Sequence, residues 1–187
     1  MEAFFNRKFV LSYKCISIFL CLIFLFSACR GKEKQQLKKI EFNIEPYKKP
    51  FENVNKSLVK TEEEQIQNFI NRYGWNMQET GTGLRYMIYK KGNGEKSVAG
   101  KVAKFNFEVR LITGDICYSS KNDGAKEILI GKSGEISGLE ESLLLLKVGD
   151  KAKLIIPSHL AFGLLGDEKK IPKRATLIYD IELLQLK

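Results

Sequence analysis

The chain has 187 residues, 31 of them basic and 22 acidic, for a net charge of +9. The excess is uneven: residues 30–60 hold nine basic against four acidic residues, whereas residues 61–187 hold 19 against 17. A nearly balanced body excludes the broad basic face of a nucleic-acid binder, one histidine (His159) excludes a multi-histidine metal site, and four cysteines, of which only Cys117 lies beyond residue 29, exclude a disulfide framework.

The chain opens on a basic stretch with Arg7, Lys8 and Lys14, followed by the apolar run CISIFLCLIFLF at Cys15–Phe26 and the small pair Ser27-Ala28. The run is too short to cross a bilayer comfortably and reads as a secretory signal peptide over 1–28. The segment LFSAC is similar to a bacterial lipobox, with Phe26 at a position usually held by Leu. Lipidation of Cys29 is the favoured outcome over simple cleavage or a retained anchor, and it predicts a membrane-tethered protein of the cell envelope facing the periplasm.

Residues 29–60 lack a sustained apolar period and carry two of the four prolines, so they read as a flexible basic tether. Its lysines suit anionic head groups, and they equally suit a solvated spacer extended by its own charge. Order is expected from Thr61. Thr61 and Glu64 form a capping-box pattern, and Ile66, Phe69, Ile70 and Tyr73 fall on one helical stripe that Gly74 ends. Residues 61–80 are therefore a helical extension.

GTGLRYMIYKKGNG, from Gly81, reads as a strand between glycine turns. In KVAKFNFEVRLITG, Phe105, Phe107, Val109 and Leu111 alternate with polar residues, the mark of a strand with one buried face. Residues 126–131 and 151–157 are further strands, and Leu177, Tyr179, Ile181 and Leu183 share a face of the last. Between them, SGLEESLLLLKVGD predicts a short helix with Ser137 and Glu140 as a capping box, Leu139, Leu143 and Leu146 on one face, and Gly149 as its stop. One short apolar helix among antiparallel strands must be what the sheet wraps around. The expected class is α+β: an antiparallel half-barrel around one helix, preceded by an N-terminal helix.

The G-x-G-L start at Gly81–Leu84, the run Gly138–Gly149, the AFG of Ala161–Gly163, the Ile171-Pro172 pair and the ending ATLIYDIELL occur in an order that resembles the FKBP-type peptidyl-prolyl isomerases across residues 81–187. With the lipobox and the preceding helix, the chain looks most like the membrane-anchored FKBP lipoproteins linked to gliding motility. The resemblance implies isomerisation of X-Pro bonds in proline-containing polypeptide clients by a monomer, with no cofactor and no nucleophile or acid–base group. It also implies the pocket: Phe107 and Cys117 on one wall with Tyr118 beside them, Ile136 and Leu139 as the floor, Phe162 and Ile171 on the loop, and Tyr179 on the final strand. The Ile136 amide would hold the substrate carbonyl.

Elementary chemistry fits that pocket. Rotation of a peptide bond must break amide resonance, a barrier of about 18–20 kcal/mol. The twisted bond has lost its charge separation, so an apolar cleft favours it over the planar, dipolar ground state. Several usual family groups are replaced here: Phe107 and Phe162 stand for Tyr, Cys117-Tyr118 for Phe-Asp, and Leu139 for Trp. These losses favour a second reading, a catalytically weak or silent binding or chaperone module of a surface machine.

Overall fold

The computed structural model describes residues 45–187. The expected signal peptide, Cys29 and the expected tether as far as residue 44 lie outside the described residues. The described elements are α1 (Glu45–Tyr73), β1 (Gln78–Glu79), β2 (Arg85–Lys90), β3 (Val102–Leu111), β4 (Ile116–Ser119), the single turn α2 (Ser120–Asp123), β5 (Lys126–Leu129), α3 (Ser137–Leu145), β6 (Lys151–Ile156) and β7 (Leu177–Leu186).

The strands form one antiparallel sheet in the order β1-β2-β6-β7-β3-β4, with β5 also paired to β3. The ten-residue β3 is long enough to serve two partners on one edge: β5 pairs Val102–Phe105 and β4 pairs Glu108–Arg110. This is the α+β half-barrel expected from the sequence. Leu139, Leu143 and Leu146, from α3 and the residue after it, are buried with Leu84, Phe105, Leu154, Ile156, Leu177, Tyr179 and Ile181. Close approach of α3 to β6 depends on Gly138, where a Cβ would lie 2.4 Å from Ile156 Cγ2.

A second apolar cluster joins Ile66, Phe69 and Ile70 of α1 to Ile155 and Ile178. Alternate residues of β6 and β7 thus go to different cores, which is why LII and LIY read as continuous apolar runs. Glu63 of α1 pairs with the buried Arg85 of β2 at 2.5 Å, an ion pair that adds polar fixation to the apolar dock.

Four local expectations are corrected. Helix α1 is described from Glu45, so residues 45–60 are helical rather than tether, although every residue of 48–60 is exposed, including Phe51, Val54 and Leu58. Thr61 is consequently no cap; its hydroxyl donates to the Ser57 carbonyl one turn back. The Ser137–Glu140 capping box does not form either. Ile136 is the N-cap residue, and Glu140 Oε1 accepts the Ser133 amide at 3.0 Å instead, while the helix ends at Leu145 rather than at Gly149. Both boxes failed for one reason: the chain supplied better partners, a preceding helical turn in one case and the Ser133 turn in the other.

Candidate active site

The strands β3 and β7, the turn before α3 and the loop Ala161–Pro172 enclose an open cavity of about 800 Å³. Phe107, Val109 and Tyr179 contribute from the sheet, Glu135 and Ile136 from the turn, and Phe162, Asp167 and Ile171 from the loop. Lys126 and Glu135 form a 2.7 Å ion pair at its rim.

Each wall has its own local cause. Phe107 is held in β3 by β7, and its backbone N–H donates to Ser120 Oγ at 2.6 Å, which ties α2 to the strand. Tyr179 pairs with Val109 across the ladder and is buried, and that burial pushes its phenol pKa far up, with the nearby Glu135 charge adding to the shift. It remains a neutral donor at any ordinary pH. Ile136 receives its position from the Ser133–Glu140 hydrogen bonds, and its carbonyl accepts the first α3 amides, from Leu139 and Glu140. Its own amide precedes the helical ladder, and no described residue accepts from it.

The loop has no ladder to hold it. Asp167 does that work: Oδ1 accepts the amides of Lys169, Lys170 and Ile171 at 2.9, 2.9 and 2.7 Å. Tyr118 Oη donates to Oδ2 and so ties the loop to β4. Burial works to raise the Asp167 carboxyl, but the hydrogen bonds from Tyr118 and the three amides outweigh it and hold the group below its usual range. The same bond, with burial second, pushes Tyr118 up to about 12. Gly166 is required here: its φ is +77°, and a Cβ would lie 2.4 Å from the Ile171 carbonyl oxygen.

Six of the eight residues expected in the pocket line this cavity: Phe107, Tyr118, Ile136, Phe162, Ile171 and Tyr179. Cys117 and Leu139 do not. Cys117 is buried with its thiol towards the Asp115 and Lys170 carbonyls, and its pKa is raised, chiefly by burial. Leu139 is fully buried in the main core. Both side chains point to the packed side because the apolar interior on that side competes for them. Asp167 was not among the residues expected in the site. Its signal was present, an acidic residue directly after the loop glycine and ahead of three residues with free amides, an Asx-type turn.

The family model described as FKBP-type peptidyl-prolyl cis-trans isomerase matches residues 93–184. The matched segment, residues 93–184, belongs to that family. The chain is similar to the probable FKBP-type peptidyl-prolyl cis-trans isomerase FkpA of Neisseria meningitidis, with 36% identity over 110 residues that make up 59% of this chain and 40% of that protein. It is also similar to the peptidyl-prolyl cis-trans isomerase FKBP11 of Bos taurus, with 38% identity over 92 residues, 49% of this chain and 45% of that one. Among solved structures, the crystal structure of AtFKBP13 matches with a TM-score of 0.58 and 27% identity, covering 60% of this chain and 100% of that one. The chain spans less than half the length of these curated relatives. The match takes in the whole of that solved chain, and every residue lining the cavity between β3, β7 and the loop lies within the segment the family model matches.

Proposed function

We propose that the protein is a peptidyl-prolyl cis-trans isomerase for X-Pro bonds of exported or cell-envelope polypeptides. The observation that carries this is the cavity itself: Phe107, Phe162, Ile171 and Tyr179 surround a concave space, and the Ile136 amide has no partner among the described residues. A proline ring enters the apolar space, and the Ile136 N–H and Tyr179 hydroxyl orient the flanking carbonyls. The planar bond loses more hydration on entry than the twisted one, so the cleft lowers the barrier without bond making or breaking. Asp167 accepts four hydrogen bonds from the protein and holds the loop; it is not spare for substrate.

Anchoring through a lipidated Cys29 presents this monomeric domain to periplasmic clients beside a membrane, with no role for nucleic acid. A second reading, a binding or chaperone module in a surface machine such as that of gliding motility, is favoured by one observation. The phenol of Tyr118 is engaged by Asp167, and Phe107 and Phe162 bring no hydroxyl, so few groups remain to orient a substrate. Exchange NMR of a Leu-Pro peptide with the full chain separates the two. Catalysis that falls about tenfold in Phe162→Ala supports the isomerase. Binding without faster exchange supports the module and ends the isomerase reading. Fatty-acid labelling that survives Cys29→Ala would refute the anchor.

A further inference from the structure

Helix α1 contributes no residue to the pocket, yet one of its side chains holds both roots of the pocket loop. Glu62 Oε1 accepts the Ser158 amide at 2.7 Å and the Thr176 hydroxyl at 2.6 Å, and Oε2 accepts the Ser158 hydroxyl at 2.9 Å. Ser158 begins the 3-10 turn that leads into the loop, and Thr176 immediately precedes β7. Both are buried. Every loop residue that lines the cavity (Phe162, Asp167, Lys169 and Ile171) lies between them. Glu62 is itself fixed, because Ile66, one turn further along the same face, is packed on Ile155 and Ile178.

We infer that Glu62 is a positioning residue for the reaction: it clamps the two ends of the pocket loop, so the N-terminal helix sets the geometry of a site that it does not touch. The inference rests on the isomerase reading for its kinetic consequence. A loop whose roots are fixed has little freedom left to lose when a peptide binds, so the clamp is expressed in KM. Glu63, the next residue, supplies a control within the same helix, since it anchors α1 to Arg85 of β2 and contacts neither root of the loop.

The test compares the full-length wild type with Glu62→Ala, Glu62→Gln and Glu63→Ala. In Glu62→Ala, KM for a Leu-Pro peptide is expected to rise on the order of tenfold with kcat within about a factor of two, the scale of one lost charge-assisted hydrogen bond. Amide hydrogen exchange within residues 161–172 should accelerate while α3 keeps its protection. Glu62→Gln, which keeps one acceptor oxygen, should recover most of both effects, and Glu63→Ala should leave KM and loop exchange unchanged. The clamp is refuted if Glu62→Ala leaves loop exchange at the wild-type rate, or if Glu63→Ala disturbs the loop equally. If Glu62→Ala does not fold, Thr176→Val removes one bond at one root and is expected to give the smaller shift in the same direction; an unchanged loop there also refutes it. A wild type without isomerase activity would defeat the functional reading alone, because loop exchange still decides the clamp.

Discussion

The two sides of the pocket are built on different physics. Phe107, Val109 and Tyr179 stand on β3 and β7, whose nine paired positions fix them whether or not a substrate exists. Phe162 and Ile171 stand on a loop that makes no ladder, and their placement depends on the carboxylates of Asp167 and Glu62, on Gly166 and on the bonds Gly166 N–H to Phe162 O and Asp167 N–H to Ile171 O. On the sheet side, site and fold are inseparable. On the loop side they come apart, which is where a substitution can change activity and spare stability.

Substitutions that separate the two sides can be ranked by their expected effect on stability. Tyr179→Ala should be the most severe, costing about 3–5 kcal/mol as a truncated buried aromatic, read as a lower denaturation midpoint together with lost activity. Asp167→Ala comes next, at about 1.5–3 kcal/mol for hydrogen bonds to a charged group, with loop exchange increased and the sheet unaffected. Its pH signature is distinct. The folded pKa lies below the unfolded value of about 3.9, so the stabilisation is complete above that value and is lost as pH falls through the folded one. Asp167→Asn should remove that acid-side loss from a stability–pH profile, and an unaltered profile would refute the role assigned to Asp167.

Tyr118→Phe should cost about 1 kcal/mol, since its hydrogen bond is partly exposed to water. With a folded pKa of about 12, the Tyr118 contribution is complete below its unfolded value near 10 and is lost as pH rises through the folded one. The variant should therefore be less sensitive to alkali than the wild type. Phe162→Ala should alter stability least, by about 1 kcal/mol or less for a half-buried loop side chain, yet lower kcat/KM about tenfold. Equal losses of stability in Phe162→Ala and Tyr179→Ala would erase the distinction between the two sides.

How far the sequence carried follows the same division. Alternation in Phe105–Leu111, the stripe Leu139–Leu143–Leu146 and the run at Leu177–Leu183 specified strands, inner helix and class, because periodic burial is written in residue spacing. Six pocket residues were legible through motifs placed at fixed points on those elements. Helix ends were less so. Thr61 and Ser137 carry capping patterns that any sequence reader would accept, yet a longer helix and the Ser133 turn took their partners.

What the sequence alone determined, then, was the alternation of faces and hence the half-barrel, since side-chain periodicity dictates which surface each element must bury. Only the tertiary structure decided that Cys117 and Leu139 turn into the core, that Asp167 binds Tyr118, and that Glu62 reaches Ser158 and Thr176. Those contacts join residues far apart in the chain, and a hydrogen bond forms only where folding brings donor and acceptor within about 3 Å.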